Sequence, residues 1–388
     1  MRIAYVTADP GVPVFGHKGC SVHVQEVIRA LRRRAVHVEL HAVRLGGDPP
    51  GDLADLDVHD VPFDRSGDPG LRERRARDVN PALLASLGGR PRYDLVYERY
   101  SLWGTAGVDF AHATGVPCIL EVNAPLVDEQ SEHRTLLDRH AAERVARHVF
   151  HAATLVLAVS RDVADHVLEH GVDPDRVVVQ PNGVDPLRFS GAKERPKGDP
   201  FTVGFVGTLK PWHDVDTLID AFAILQRSVP EARLLVVGDG PERSRLEKRI
   251  GDAGLAGTTT FVGAVAPDEV PGWLEQMHVG VAPYSRSEAS YFSPLKVLEY
   301  MAAGLPVLGS STGQIPFLIE DGHSGLLYAP GEAGSLADAM RTLCEDEALR
   351  RGMGRAGREA VAARHSWDRV VADSLGAVET VNAGMEMC

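Results

Sequence analysis

Short apolar runs alternate with amphipathic stretches along this 388-residue chain, and the alternation runs through two successive series. In the first series the apolar runs lie at 3–7, 36–42, 94–97, 118–122, 155–159 and 177–180. Helical patterns intervene at 20–34, with Val22, Val27, Ile28 and Leu31 on one face, and near 104–114, 133–151 and 161–170. A second series has strands at 202–206, 233–237, 259–262, 279–282, 306–308 and 325–328, with its clearest helices at 214–227, 242–253 and 334–345. Strands that alternate with helices pair in parallel, because each crossover returns the chain to the same end of the sheet. The expected fold is therefore α/β, with two doubly wound, Rossmann-like domains at 1–188 and 189–366. Their ligands are expected outside the carboxyl ends of the strands, in the cleft between the domains. Residues 190–200 read as a linker, and 44–80, rich in Gly, Pro and Asp, read as a long excursion with no convincing helix. The tail, 367–388, opens an amphipathic helix after Ser366 and is expected to pack back on the first domain.

Charge and composition remove several partners. The formal net charge is −13, which argues against a nucleic acid, since phosphate contacts need concentrated Lys and Arg. Arg32, Arg33 and Arg34 form a short run at a helix end, where cations complement the dipole. Four cysteines lie far apart with no ligand spacing, as expected of thiols in a reducing compartment. The N-terminus runs straight into a strand rather than a signal peptide, and no apolar run reaches membrane-spanning length. A cytoplasmic location is expected. The Ala-, Arg- and Gly-rich composition suggests a high-GC bacterium.

The segment 291–307 carries the most chemistry. Ser293 and Pro294 stand where an N-cap and first helical residue belong, so free N–H groups there would meet an anion. One turn further, Glu299 offers two oxygens suited to adjacent hydroxyls. Gly207 to Asp214 opens a helix after the first strand of the second series, with Lys210 as a point charge; it reads either as a phosphate loop or as a plain turn. Gly238 to Glu242 makes a similar turn, where a nucleotide pocket and tight packing explain the glycines equally well. Gly11, Gly16 and Gly19 precede the first helix as a second possible anion site, but they do not spell GxGxxG. No acidic residue closes the second strand convincingly, so a dinucleotide oxidoreductase loses ground. Among the 16 histidines, His133, His140, His148 and His151 invite a metal reading. No HExxH pattern accompanies them, and no metal site is expected. No GxSxG elbow is present either.

Together these residues resemble the family-4 retaining glycosyltransferases of the GT-B fold. The likeness runs through Val22-His23-Val24, Ser160, Gly171 and Pro181 to Asp185 in the first domain. It continues through Gly207 to His213, Leu218 to Phe222, Val237 to Pro241 and Glu299 to Val307 in the second. The resemblance implies a nucleotide-sugar donor held mainly by the second domain and an acceptor held mainly by the first. It places Glu299 on the ribose hydroxyls, Gly19 near the donor phosphates, Phe261, Val262 and Gly263 beside the base, and Pro283-Tyr284 near the diphosphate. Ser293, Leu295 and Gly238 join the donor set, and Gly16 the acceptor side. No metal or other cofactor is implied, so protein cations and N–H groups must stabilise the leaving diphosphate.

Three positions depart from the family pattern. The first acid of its Glu-x7-Glu motif is Tyr291 here. The phosphate-binding Arg and Lys fall on Thr208 and His213, which leaves Lys210, and secondarily Lys296, to restore the charge; a solvated helix residue is the other reading of Lys296. The first-domain histidine falls on Asn123, which can hydrogen-bond a sugar hydroxyl but cannot work as a titratable base. Glu98 and Glu121, near strand ends, are either acceptor ligands or buried structural carboxylates. The resulting expectation is retaining transfer from an NDP-sugar, UDP favoured, to an acceptor hydroxyl on a small molecule, glycan or lipid. Lys210, Asn123 and Gly19 are the residues at the reacting groups. A same-fold epimerase and a non-catalytic sugar-nucleotide binder are the alternatives.

Overall fold

The computed structural model describes residues 1–89, 92–189, 198–285, 291 and 293–386. Its contacts divide the chain into two units, Met1–Asn182 together with the last helix, and Gly183–Ser366.

The first unit holds a seven-stranded sheet of β1 (Arg2–Thr7), β2 (His37–Ala42), β3 (Asp57–Asp60), β4 (Leu95–Arg99), β5 (Cys118–Val122), β6 (Leu155–Ala158) and β7 (Val177–Val179), in the order β3-β2-β1-β4-β5-β6-β7. All pairs are parallel. The central strands are buried on both faces, which is why β1 reads as an apolar run from Ile3 to Val6 and β5 as one from Cys118 to Leu120. Local chemistry sets the helix ends. Ser160 accepts the Val163 N–H to start helix Arg161–Glu169, and Ala35, at φ 58, turns the chain out of helix Gly19–Arg33. The last helix, Trp367–Glu386, packs on Gly19–Arg33, with Trp367 2% exposed and its ring edge-on to His23.

The second unit holds a six-stranded parallel sheet of β8 (Thr202–Val206), β9 (Arg233–Val237), β10 (Thr259–Gly263), β11 (Val279–Ala282), β12 (Val307–Ser310) and β13 (Gly325–Tyr328), ordered β10-β9-β8-β11-β12-β13. Apolar clusters cover both of its faces, one built around Phe205 and Phe222, the other around Tyr300 and Leu235.

Three expectations are corrected. Residues 44–80 contain β3 and a helix at Pro69–Asp78, which Asp68 caps through the Leu71 N–H at 2.9 Å. This helix buries only Glu73 and Ala76, and β3 is a polar edge strand, so neither shows an apolar period. The helix expected over 133–151 is two, Leu126–His133 and Arg139–Ala152, the second capped by Asp138 through the Ala141 N–H. The helix after Ser293 begins at Leu295, so Pro294 rather than Ser293 stands at the cap position. Most of the expected linker, 190–197, lies outside the described residues.

Candidate active site

Each sheet has a point where its strand order reverses, between β1 and β4 in the first unit and between β8 and β11 in the second. Connections leave such a point in opposite directions and open a crevice above the strand ends. The candidate groups gather at these two places.

In the second unit the loop after β8 is built on glycine. Gly207, at φ 146, has a conformation that side chains avoid, and a Cβ there would lie 2.9 Å from the Lys296 Nζ. Gly238 and Gly240 serve packing, because a Cβ on either would strike the Gly207 or Leu209 carbonyl at 2.0 and 2.3 Å. Lys296 lies in helix Leu295–Ala302 and is 8% exposed. Its ammonium stands 4.2 Å from the Phe205 ring centroid and 5.1 Å from that of Tyr284. It has no hydrogen-bond partner among the described residues. Burial pulls its pKa down to about 7, against the opposing charge of Glu299 three residues on. The solvated reading of Lys296 is therefore wrong, since the strands and two aromatic rings enclose it. Tyr300 fixes the floor by accepting the Val206 N–H at 2.7 Å.

The other second-unit candidates fall around this cation. Glu299 is half-buried on the same helix, with Ser293 buried just before it, Leu295 half-buried at the helix start and Tyr291 half-buried upstream. Thr208 is exposed on the glycine loop, and Lys210 lies over Trp212, 5.6 Å from the ring centroid. His213 donates from Nδ1 to the Thr208 carbonyl at 2.5 Å. Burial, then the charges of Lys296 and Lys210, push its pKa down to about 3. It is a neutral ring at physiological pH, not a replacement cation. Phe261, Val262 and Gly263 end β10, where Gly263, at φ 95, accepts the Gly238 N–H at 2.8 Å. Two strands separate β10 from β11, so these residues lie further along the crevice than the Lys296 group.

In the first unit Glu121 occupies the end of β5. It is 8% exposed and accepts from His23 Nε2 at 2.7 Å, with the Arg99 guanidinium 3.7 Å from its other oxygen. Burial would raise its pKa, but His23 and Arg99 hold it below the usual carboxylate range, and the Asn123 amide beside it adds to this. Glu98 is 1% exposed and accepts the Val108 N–H at 2.7 Å, and burial lifts its pKa to about 8. Both carboxyls turn inward, so the acceptor reading of Glu98 and Glu121 gives way to the structural one. Gln25 clamps the glycine loop through the Val14 and Gly16 carbonyls, and Gly19 opens its helix without a side-chain cap.

Sequence reasoning missed a cavity of about 500 Å³ at the β1/β4 reversal. Phe63 and Trp103 give it apolar walls, and Arg65, Arg72 and Arg134 give it guanidinium groups. Arg72 belongs to the helix hidden in 44–80, so no pattern in the sequence points to it.

Two parallel sheets, each with a site at its reversal point, define a GT-B protein. Solved structures agree on the fold. Sucrose-phosphate synthase from Thermosynechococcus elongatus superposes with a TM-score of 0.75 at 21% identity, covering 99% of both chains. Anabaena HepE in complex with UDP and glucose gives 0.73 at 20% identity, covering 98% of this chain and 100% of that one. The glycosyl transferase 4-like domain pattern matches residues 18–183, and that of the group 1 glycosyl transferases matches 200–346. A D-inositol 3-phosphate glycosyltransferase of Stackebrandtia nassauensis is 30% identical over 389 residues, 92% of this chain and 86% of that protein. A GDP-mannose-dependent alpha-(1-6)-phosphatidylinositol monomannoside mannosyltransferase of Mycobacterium tuberculosis is 34% identical over 208 residues, 53% of each chain. The chain belongs to the group 1, family-4-like glycosyltransferases. None of its described helices is long and apolar enough to cross a membrane.

Proposed function

We propose that this glycosyltransferase moves a hexose, with retention, from a nucleoside diphosphate sugar to an acceptor hydroxyl, in the cytoplasm. The observation that carries the donor half is Lys296, a buried ammonium beside a glycine loop with no hydrogen-bond partner among the described residues. A charge buried at a desolvation cost that Glu299 offsets only partly, with no hydrogen-bond acceptor among the described residues, fits a diphosphate that arrives with the substrate. Lys210 supplies a second, more exposed cation, and Glu299, one turn from Lys296, is suited to the ribose diol.

Retention follows if the acceptor attacks on the face that the diphosphate leaves. The departing phosphate oxygen then takes the acceptor proton, while the lysines neutralise the charge that develops on it. The enzyme supplies orientation and electrostatics rather than a nucleophile. With two lysines at the phosphates, turnover is expected without added Mg²⁺ or Mn²⁺. Asn123, beside Glu121, is assigned to the transferred sugar.

The acceptor is assigned to the first-unit cavity. Its three guanidiniums stand with the carboxylates of Asp9, Glu73 and Glu129, a donor and acceptor set suited to a polyhydroxylated, charged molecule. Relatives named for D-inositol 3-phosphate make a phosphorylated cyclitol the first acceptor to try. UDP is the first base to try and GDP the second, since one relative is GDP-mannose-dependent.

Nucleoside diphosphate release from a panel of UDP- and GDP-sugars, with and without inositol phosphate, tests the reading. Release that requires an acceptor, with the anomeric configuration kept in the product, supports it. Donor turnover without an acceptor would replace it with an epimerase, and binding without turnover with a non-catalytic sugar-nucleotide protein.

A further inference from the structure

Strand β3 brings together a group of donors that its absence from the sequence reading concealed. In the β2–β3 register, Glu39 pairs with Asp57 and His41 with His59, so His37, Glu39, His41, Asp57 and His59 line one face of two adjacent strands. Within this group single donor atoms of Glu39, His41 and His59 all lie within 4.8 Å of one another. Glu39 and His41 are fully or almost fully buried, and His59 is half-buried at the sheet edge. The Glu39 Oε2 accepts from His59 Nε2 at 2.9 Å and from the Tyr93 hydroxyl at 3.0 Å, and the same hydroxyl lies 3.0 Å from His41 Nε2.

We infer that Glu39, His41 and His59 form a binding site for a divalent transition ion of the zinc type, with Tyr93 or a water as the fourth donor. Two imidazoles and one carboxylate form a mixed nitrogen and oxygen set that zinc accepts in tetrahedral geometry, whereas magnesium and calcium require oxygen. The surrounding groups hold these donors in place. The far nitrogen of His41, Nδ1, lies 2.8 Å from the Ser86 hydroxyl, which fixes the ring so that Nε2 faces the cluster. Arg2 pairs with the other oxygen of Glu39, leaving Oε2 directed at the histidines. To reach the ligand separations near 3.3 Å implied by metal–ligand bonds of about 2.0–2.2 Å, donors now as far as 4.8 Å apart close by up to about 1.5 Å, and the 2.9 Å Glu39–His59 contact opens by about 0.4 Å. No proton need leave the site, since each neutral imidazole has only to carry its hydrogen on the nitrogen away from the ion. Such an ion would tie the polar edge strand β3 to β2. This role is structural and separate from the transfer chemistry.

The test uses the full chain, freed of any affinity tag and stripped of metal, titrated with Co²⁺ and then Zn²⁺. One Co²⁺ per chain with tetrahedral visible bands, displaced by Zn²⁺ with a rise in melting temperature, is expected. His59→Ala and Glu39→Gln should each weaken binding at least tenfold, with the circular dichroism of the metal-free chain unchanged as evidence that the first unit is folded. His166→Ala combined with His170→Ala, at an unrelated pair of histidines, should leave Co²⁺ binding intact. Absence of stoichiometric binding by the wild-type chain would overturn the inference. So would binding that survives His59→Ala or is lost with the His166 and His170 changes.

Discussion

Glu121 in the first unit and Lys296 in the second are both charged groups taken out of water, yet their surroundings differ. Glu121 sits between the His23 ring, which donates to it, and the Arg99 guanidinium, so its charge is held by partners supplied by the chain. Lys296 faces two aromatic rings and a glycine, with Glu299 as the counter-charge that raises its pKa only partway back. A buried ion with partners from the fold is part of the architecture; one held against its own desolvation is kept for something that binds.

Four substitutions test the contrast. Glu121→Ala should have the largest effect, a loss of about 3–5 kcal/mol in unfolding free energy, because it strands His23 and Arg99 in the interior. Denaturant titration checks it, and a neutral outcome would remove the architectural role. Lys296→Met should act in the opposite sense on the apo protein and raise its melting temperature, since an apolar chain replaces a desolvated cation. Turnover should fall by about 10²–10³, the usual effect of removing one electrostatic stabiliser of a leaving oxyanion. Glu299→Ala should weaken donor binding by about 1.5–3 kcal/mol in calorimetry, as for a charge-assisted bond to a diol.

The last effect is a slope. The Glu98 carboxyl has a pKa of about 8 in the folded chain against an ordinary 4.5, so between these values the folded state holds a proton that the unfolded state has lost. Stability from this group is full below the lower value and falls as pH rises towards the upper one, by at most about 1.4 kcal/mol per pH unit. Glu98→Gln should flatten that part of the pH profile, measured as melting temperature against pH.

Most of the sheet was legible in the sequence because buried parallel strands are continuous apolar runs. Strands at 202–206, 233–237, 279–282 and 325–328 fall where those runs predict them. β3 was not, since Asp57-Val58-His59-Asp60 is a polar edge with no run to recognise. The helix Pro69–Asp78 was hidden for the same reason, although Asp68-Pro69 is an N-terminal signal in plain view. The glycine loop and Glu299 were readable as local patterns. The state of Lys296 was not, because a lysine in a helix reads as solvated until the fold brings Gly207, Phe205 and Tyr284 around it. At His213 the sequence expectation of a missing cation agrees with the structure. It stands where the family has a cation, and burial first, then the charges of Lys296 and Lys210, keep it neutral.

If Lys296 is held in reserve for the donor's phosphates, its removal must cost phosphate binding and nothing else. UDP and uridine are titrated by calorimetry into the wild-type chain and into Lys296→Met. UDP affinity should drop at least tenfold in the variant, while the weaker affinity for uridine, which carries no phosphate, stays the same. Equal UDP affinity for the two proteins would contradict it.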